Sequence, residues 1–137
     1  GVKFCAPGFP GLCRLDWTIQ YNVGGWPLSK EDVPQGQTLE KMLETLSYYD
    51  VANFIGKVKC PIVGTIGWMD TVTASGGQMA AFAQADKNRL TLYCAPWGRH
   101  GADARTQQAY YATHSLFLEG KEIPLPKTWD KIEEAPK

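Results

Sequence analysis

The run Ile62-Val63-Gly64-Thr65-Ile66-Gly67-Trp68 carries no charge and no alternation of apolar with polar residues. A strand apolar on both faces must be covered on both faces, which is the situation of a strand in a helix-flanked parallel sheet. The run therefore predicts a buried strand over 62–68, with Asp70 just past its carboxyl end. From Gln37 onward, helix-like and strand-like segments alternate, the pattern of βα units and an α/β fold.

The neighbouring segments fit this frame. Thr38 precedes Leu39, Met42, Leu43 and Leu46, an apolar stripe at helical spacing behind a good N-cap. Asp50 opens a second predicted helix with the stripe Val51, Phe54, Ile55 and Val58, and Pro61 stops it. Ser75-Gly76-Gly77-Gln78 has the S-x-x-Q form of a capping box, predicting a helix over 76–85 in which Ser75 serves as the cap. Arg89 to Cys94 alternates with period two as a strand, and a loop leads to a last helix over 103–119, stopped by Gly120. Val2 to Cys5 reads as another buried strand, and residues 12–21 as a short helix followed by a long loop. Beyond Gly120, a Pro- and charge-rich tail over 121–137, anchored by Ile123, Leu125 and Trp129, is expected to lie across the surface.

Composition narrows the function. Lys+Arg and Asp+Glu balance at 14 each, and the two halves of the chain balance separately, so neither nucleic acid nor an anionic membrane is an expected partner. The longest uncharged apolar stretch, Cys60 to Met69, falls well short of the roughly 20 residues a spanning helix needs. The chain begins at Gly1 and runs directly into a strand-like segment, as if cut from a longer polypeptide. Cys5, Cys13, Cys60 and Cys94 are spaced as neither a zinc ribbon nor a CxxC pair and are expected to be free thiols. Two histidines without a third ligand do not suggest a catalytic zinc site, and no cofactor is implied.

Asp70 and His100 form one constellation with a mechanistic geometry, since each follows a predicted parallel strand at the end where open α/β sheets place their sites. An acid that orients an imidazole through Nδ1–H, leaving Nε2 to take a nucleophile's proton, is the acid–base half of a hydrolytic triad. The plainer readings stay open: a turn-capping carboxylate and a surface histidine. Trp97 and Arg99 flank His100 and either line a pocket or merely pack and solvate the loop. Ser29, Ser47, Ser75 and Ser115 all lack the flanking glycines of a G-x-S-x-G elbow, so none reads as a nucleophile. Cys60 and Cys94 lack a neighbouring base, and His114 reads as a half-buried packing residue.

Tyr49-Asp50, Asn53-Phe54, Cys60-Pro61, Gly67-Trp68-Met69-Asp70-Thr71-Val72, the helix residues Ala80-Ala81-Phe82 and a strand ending in a His loop follow one another here as in the acetyl xylan esterase and cephalosporin C deacetylase family. The segment from Ser47 to about Gly101 resembles the C-terminal part of that family, within the α/β-hydrolase superfamily. The resemblance implies a partial three-layer α/β sandwich of about three parallel strands flanked by helices, residues 1–120 being the C-terminal portion of the hydrolase domain. It also implies Asp70 as triad acid and His100 as triad base, with the serine and oxyanion hole in a missing N-terminal half. Two departures stand out: Ala74-Ser75 replaces a usual pair of prolines, and Gly98-Arg99-His100-Gly101 replaces Gly-His-Glu. The expected function is deacetylation of xylan or related acetylated saccharides, with the isolated chain inactive. A non-catalytic assembly or carbohydrate-contacting module is the alternative, and a flavodoxin-like small-molecule binder is a third. Expected partners are an acetylated saccharide or small ester, the missing half of the domain, and a second copy pairing at a strand edge.

Overall fold

The computed structural model describes residues 1–24, 26, 28–102 and 104–122. The predicted surface tail falls, beyond Glu122, outside the described residues.

Two strands, β1 (Ile62–Gly67) and β2 (Leu90–Ala95), pair in parallel with Ile62 opposite Leu90 and Gly67 opposite Ala95. All six residues of β1 are buried, as its two-sided apolar character requires. Residues 5–9 run along the other side of β1 and complete a third line of chain, replacing the strand expected over Val2–Cys5. Cys5 donates to the Pro61 carbonyl, Val63 to Cys5, Thr65 to Pro7 and Phe9 to Thr65, at 2.9 to 3.2 Å. The rung that is missing is the one residue 7 would donate, and Pro7 has no N–H. This single gap splits the line into two isolated parallel bridges, at Cys5 and Gly8.

Successive residues of β1 and β2 face opposite sides. Ile62, Ile66, Leu90, Leu92 and Cys94 meet Ile55, Phe82 and Ala85 in one core. A Cβ on Gly64 would come within 2.5 Å of the Phe82 ring, so the glycine admits the largest fully buried side chain against the sheet. On the other face, Tyr93 shares a 2.6 Å hydrogen bond with Thr113, and Tyr110 donates to the Ala6 carbonyl. Helices thus cover both faces, giving three layers.

Among the described residues there are four α-helices, two of them against the sheet and two packed against each other. α1 (Leu15–Gln20) packs Leu15 and Ile19 against Met42 of α2 (Leu39–Leu46). Thr38 caps α2 by accepting from Lys41 N–H at 3.2 Å, as its position predicts. α3 (Ser75–Phe82) connects β1 to β2, and α4 (Ala104–Leu118) covers the opposite face.

The helix expected to open at Asp50 is instead two 3-10 turns, Val51–Asn53 and Ile55–Lys57. Asn53 turns its amide back to the Ser47 carbonyl, and Gly56, a poor helix former, sits where a Cβ would meet the Gln84 carbonyl at 2.9 Å. The capping box is also corrected: Ser75 is the first residue of α3, Ala74 occupies the cap position without a side-chain bond, and Ser75 Oγ donates to the Trp68 carbonyl at 3.0 Å. The four cysteines are free, as expected, and burial pushes the Cys13 thiol up to about 12, with the nearby Asp50 charge adding to it.

Candidate active site

β1 ends at Gly67 and β2 at Ala95, side by side, so the loops that follow them emerge together. They are tied to each other: Trp68 donates to the Ala95 carbonyl at 3.0 Å and Met69 to the Gly98 carbonyl at 2.9 Å. This approach depends on Gly67, where a Cβ would stand 2.1 Å from the Arg99 carbonyl oxygen and 2.6 Å from that of Gly98. No side chain fits there, so Gly67 brings the His100 loop over the end of β1.

Asp70 folds back into the turn it begins. Its Oδ1 accepts from the backbone N–H groups of Val72 and Thr73 at 2.8 and 2.9 Å, an Asx turn. Its Oδ2 accepts from the Thr73 hydroxyl at 2.8 Å and from the Gln78 amide at 3.2 Å, and lies 3.0 Å from His100 Nδ1. The carboxylate is fully buried while the imidazole is 44% exposed, so the carboxylate is sealed and the imidazole accessible. Burial pulls the Asp70 carboxyl upward. The hydrogen bonds from His100, Thr73 and the Thr73 and Val72 backbone outweigh it, leaving the group below the usual carboxylate range.

The third line of chain also ends here, with the Phe9 ring 5.9 Å from the His100 ring. One Asp70 oxygen closes the turn and the other lies against the imidazole. Trp97 and Arg99 are exposed on the same loop as His100. Every serine is engaged away from this pair: Ser29 donates to Asp32, Ser47 to the Glu44 carbonyl, Ser75 to that of Trp68 and Ser115 to that of Tyr111. Burial raises the Cys94 thiol, against a thiolate role, and lowers His114, whose ring packs against Phe4, Tyr110 and Tyr111.

Sequence reasoning missed Thr73 and Gln78. Gln78, fully buried, lies on the face of α3 that also presents Phe82 to the core, in line with the buried Ala85 just beyond the helix. A glutamine at i of an i, i+4, i+7 buried stripe was the available signal, and its fit to the capping-box spacing concealed it.

A helix-covered parallel sheet with an acid and a histidine converging beyond its strand ends has the architecture of an α/β hydrolase. Residues 29–114 match the acetyl xylan esterase (AXE1) family, and the chain belongs to it. It is 32% identical over 71 residues to the acetyl esterase Axe7A of Xylanibacter ruminicola, covering 52% of this chain and 16% of that protein. It superposes on acetyl xylan esterase 1 from Thermoanaerobacterium sp. with a TM-score of 0.67 and 16% identity, over 81% of this chain and 37% of that one. For the acetyl xylan esterase from Paenibacillus sp. R4 the TM-score is 0.68 with 20% identity, over 88% and 38%. At these identities the superpositions speak for the fold alone.

Proposed function

We propose that Asp70 and His100 are the acid and base of a serine carboxylesterase that deacetylates xylan or related acetylated saccharides. The observation that carries this reading is the 3.0 Å contact between a sealed carboxylate and an accessible imidazole at adjoining strand ends. His100 Nε2 takes the proton of a serine hydroxyl as it attacks the acetyl carbonyl, then returns it to the departing sugar oxygen. Asp70 stabilises the imidazolium between the two transfers. Water, activated by the same nitrogen, releases acetate from the acetyl-serine.

The nucleophile and oxyanion hole belong to a part of the esterase beyond these 137 residues, consistent with the chain spanning well under half of its solved relatives. That part, in the same or another chain, is the expected partner, with a second copy pairing along residues 5–9 as the competing arrangement. Trp97, 62% exposed, offers an apolar wall to a sugar ring, and Arg99 a cation to a carboxylate-bearing substrate.

The test is complementation. The chain alone is expected to be inactive on p-nitrophenyl acetate, and hydrolysis is expected when it is combined with the elbow-bearing portion of the domain. Activity of the isolated chain well above its His100→Ala variant, or a combined enzyme indifferent to His100→Ala, would overturn the reading.

A further inference from the structure

We propose that Gln78 is a positioning residue that fixes the tautomer of His100 by committing the Thr73 hydroxyl proton to Asp70, so that the imidazole proton sits on Nδ1 and Nε2 is left bare. The inference rests on the reading of Asp70 and His100 as acid and base, and adds what prepares the base.

The argument follows the protons. The Gln78 amide nitrogen is a donor only, with two hydrogens. It lies 2.5 Å from the Thr73 carbonyl oxygen, 2.9 Å from the Thr73 hydroxyl and 3.2 Å from Asp70 Oδ2. One hydrogen goes to the carbonyl and the other is shared between hydroxyl and carboxylate. The Thr73 oxygen therefore accepts from Gln78, and its single proton points to Asp70 Oδ2, 2.8 Å away.

His100 Nδ1 lies 3.0 Å from Asp70 Oδ2 and 3.3 Å from the same Thr73 oxygen. With the threonine proton committed to Asp70, both oxygens facing Nδ1 are acceptors, and the imidazole must donate there. Without Gln78, nothing donates to the hydroxyl oxygen, and the hydroxyl can turn its proton from Asp70 to an unprotonated Nδ1. That places the imidazole proton on Nε2, where it blocks general-base action.

A second observation sets Gln78 apart from packing. Its carbonyl oxygen is buried without a hydrogen-bond partner among the described residues. Buried polar atoms are normally paired, and an apolar side chain of the same length would leave none orphaned. The position tolerates an unsatisfied acceptor while using its donor end fully, as expected where the donor is what is needed.

The experiment is nitrogen-15 NMR of the His100 imidazole in the purified 137-residue chain, at alkaline pH. Wild type is expected to show the Nδ1–H tautomer at about ten to one or better, and Gln78→Met a mixture within about threefold of even. Gln78→Met/Thr73→Val, which deletes the competing hydroxyl proton, is expected to restore the Nδ1–H form. A structural role for Gln78 alone does not produce that rescue. Thr73→Val by itself is expected to keep the wild-type tautomer, and serves if Gln78→Met does not fold.

A wild-type Nε2–H form, a folded Gln78→Met with the wild-type ratio, a double variant no different from Gln78→Met, or loss of the Nδ1–H form in Thr73→Val overturns the proposal. Because the readout is the ring and not hydrolysis, it stands apart from the esterase reading. Failure to reconstitute hydrolysis while the tautomer pattern holds sinks only the esterase reading.

Discussion

Asp50 and Asp70 are both nearly buried, at 4% and 7% exposure, and both open turns, yet only Asp70 meets a histidine. Asp50 accepts from Arg14 N–H at 3.0 Å, Leu15 N–H at 2.7 Å and Ala52 N–H at 2.9 Å, all backbone donors. It caps its own 3-10 turn and, across the fold, the start of α1, where Arg14 has a left-handed φ of 52° and no side-chain cap of its own. Asp70 spends one oxygen on its turn in the same way and gives the other to three side chains, one of them the exposed His100. Burial and saturation with hydrogen bonds are common to both carboxylates, so neither marks a site. The distinguishing feature is a titratable, accessible partner on the second oxygen.

The two aspartates should therefore fail differently. Asp70→Asn in the completed esterase is expected to lower kcat about 10⁴-fold, as when the acid of a hydrolytic triad becomes an amide. Its unfolding free energy should change much less, because an amide oxygen can still accept from Val72 and Thr73. Asp50→Ala is expected to cost about 3 kcal/mol of stability by stranding backbone donors at a helix start. Urea unfolding with parallel ester hydrolysis separates the two patterns, and the comparison breaks if Asp50→Ala impairs turnover while leaving the urea midpoint in place.

Gly67→Ala bridges the two cases. The added methyl cannot coexist with the Arg99 and Gly98 carbonyls, so the His100 loop must withdraw. A loss of about 1–3 kcal/mol is expected from the overpacking, with a fall in turnover of about 100-fold or more from misplacing the base. Equal retention of loop position and activity would show that the strand-end approach is not what aligns the pair.

How far the site could be read beforehand follows from the range of each interaction. Asp70 and His100 were legible because each lies a few residues beyond an apolar strand, and parallel pairing brings strand ends together whatever the details. Thr38 was legible because its bond spans three residues. Gln78 and Gly67 were not. Their roles depend on contacts made after α3 and the His100 loop have packed, and Gln78 offered a competing local explanation. The pairing along residues 5–9, in place of the strand expected over Val2–Cys5, was not legible for a related reason: whether the missing N–H of Pro7 matters depends on which neighbour the line of chain pairs with.

A smaller effect is expected in the acid limb of stability. Since the Asp70 carboxyl titrates lower folded than unfolded, its contribution is complete above the unfolded value and is lost as pH falls through the folded one. Asp70→Asn removes that component, so its urea midpoint should decline less steeply than wild type as the pH is lowered from neutral. An acid limb identical in the two proteins would mean that the hydrogen bonds around the carboxylate do not favour its ionised form.

The smallest effect distinguishes the two ways of reading the turn after Asp70. If Ser75 were the cap of α3, its replacement by Ala would cost about 1 kcal/mol and fray the helix start. Its hydroxyl instead reaches back to the Trp68 carbonyl, an exposed bond that ties the Asp70 turn to its own beginning. Ser75→Ala should then cost about 0.5 kcal/mol, the low end for a single net hydrogen bond. Amide exchange should quicken in the turn rather than in the first turn of α3. Fraying confined to α3 would restore the capping role and leave Asp70 alone to hold its turn, as Asp50 holds its own.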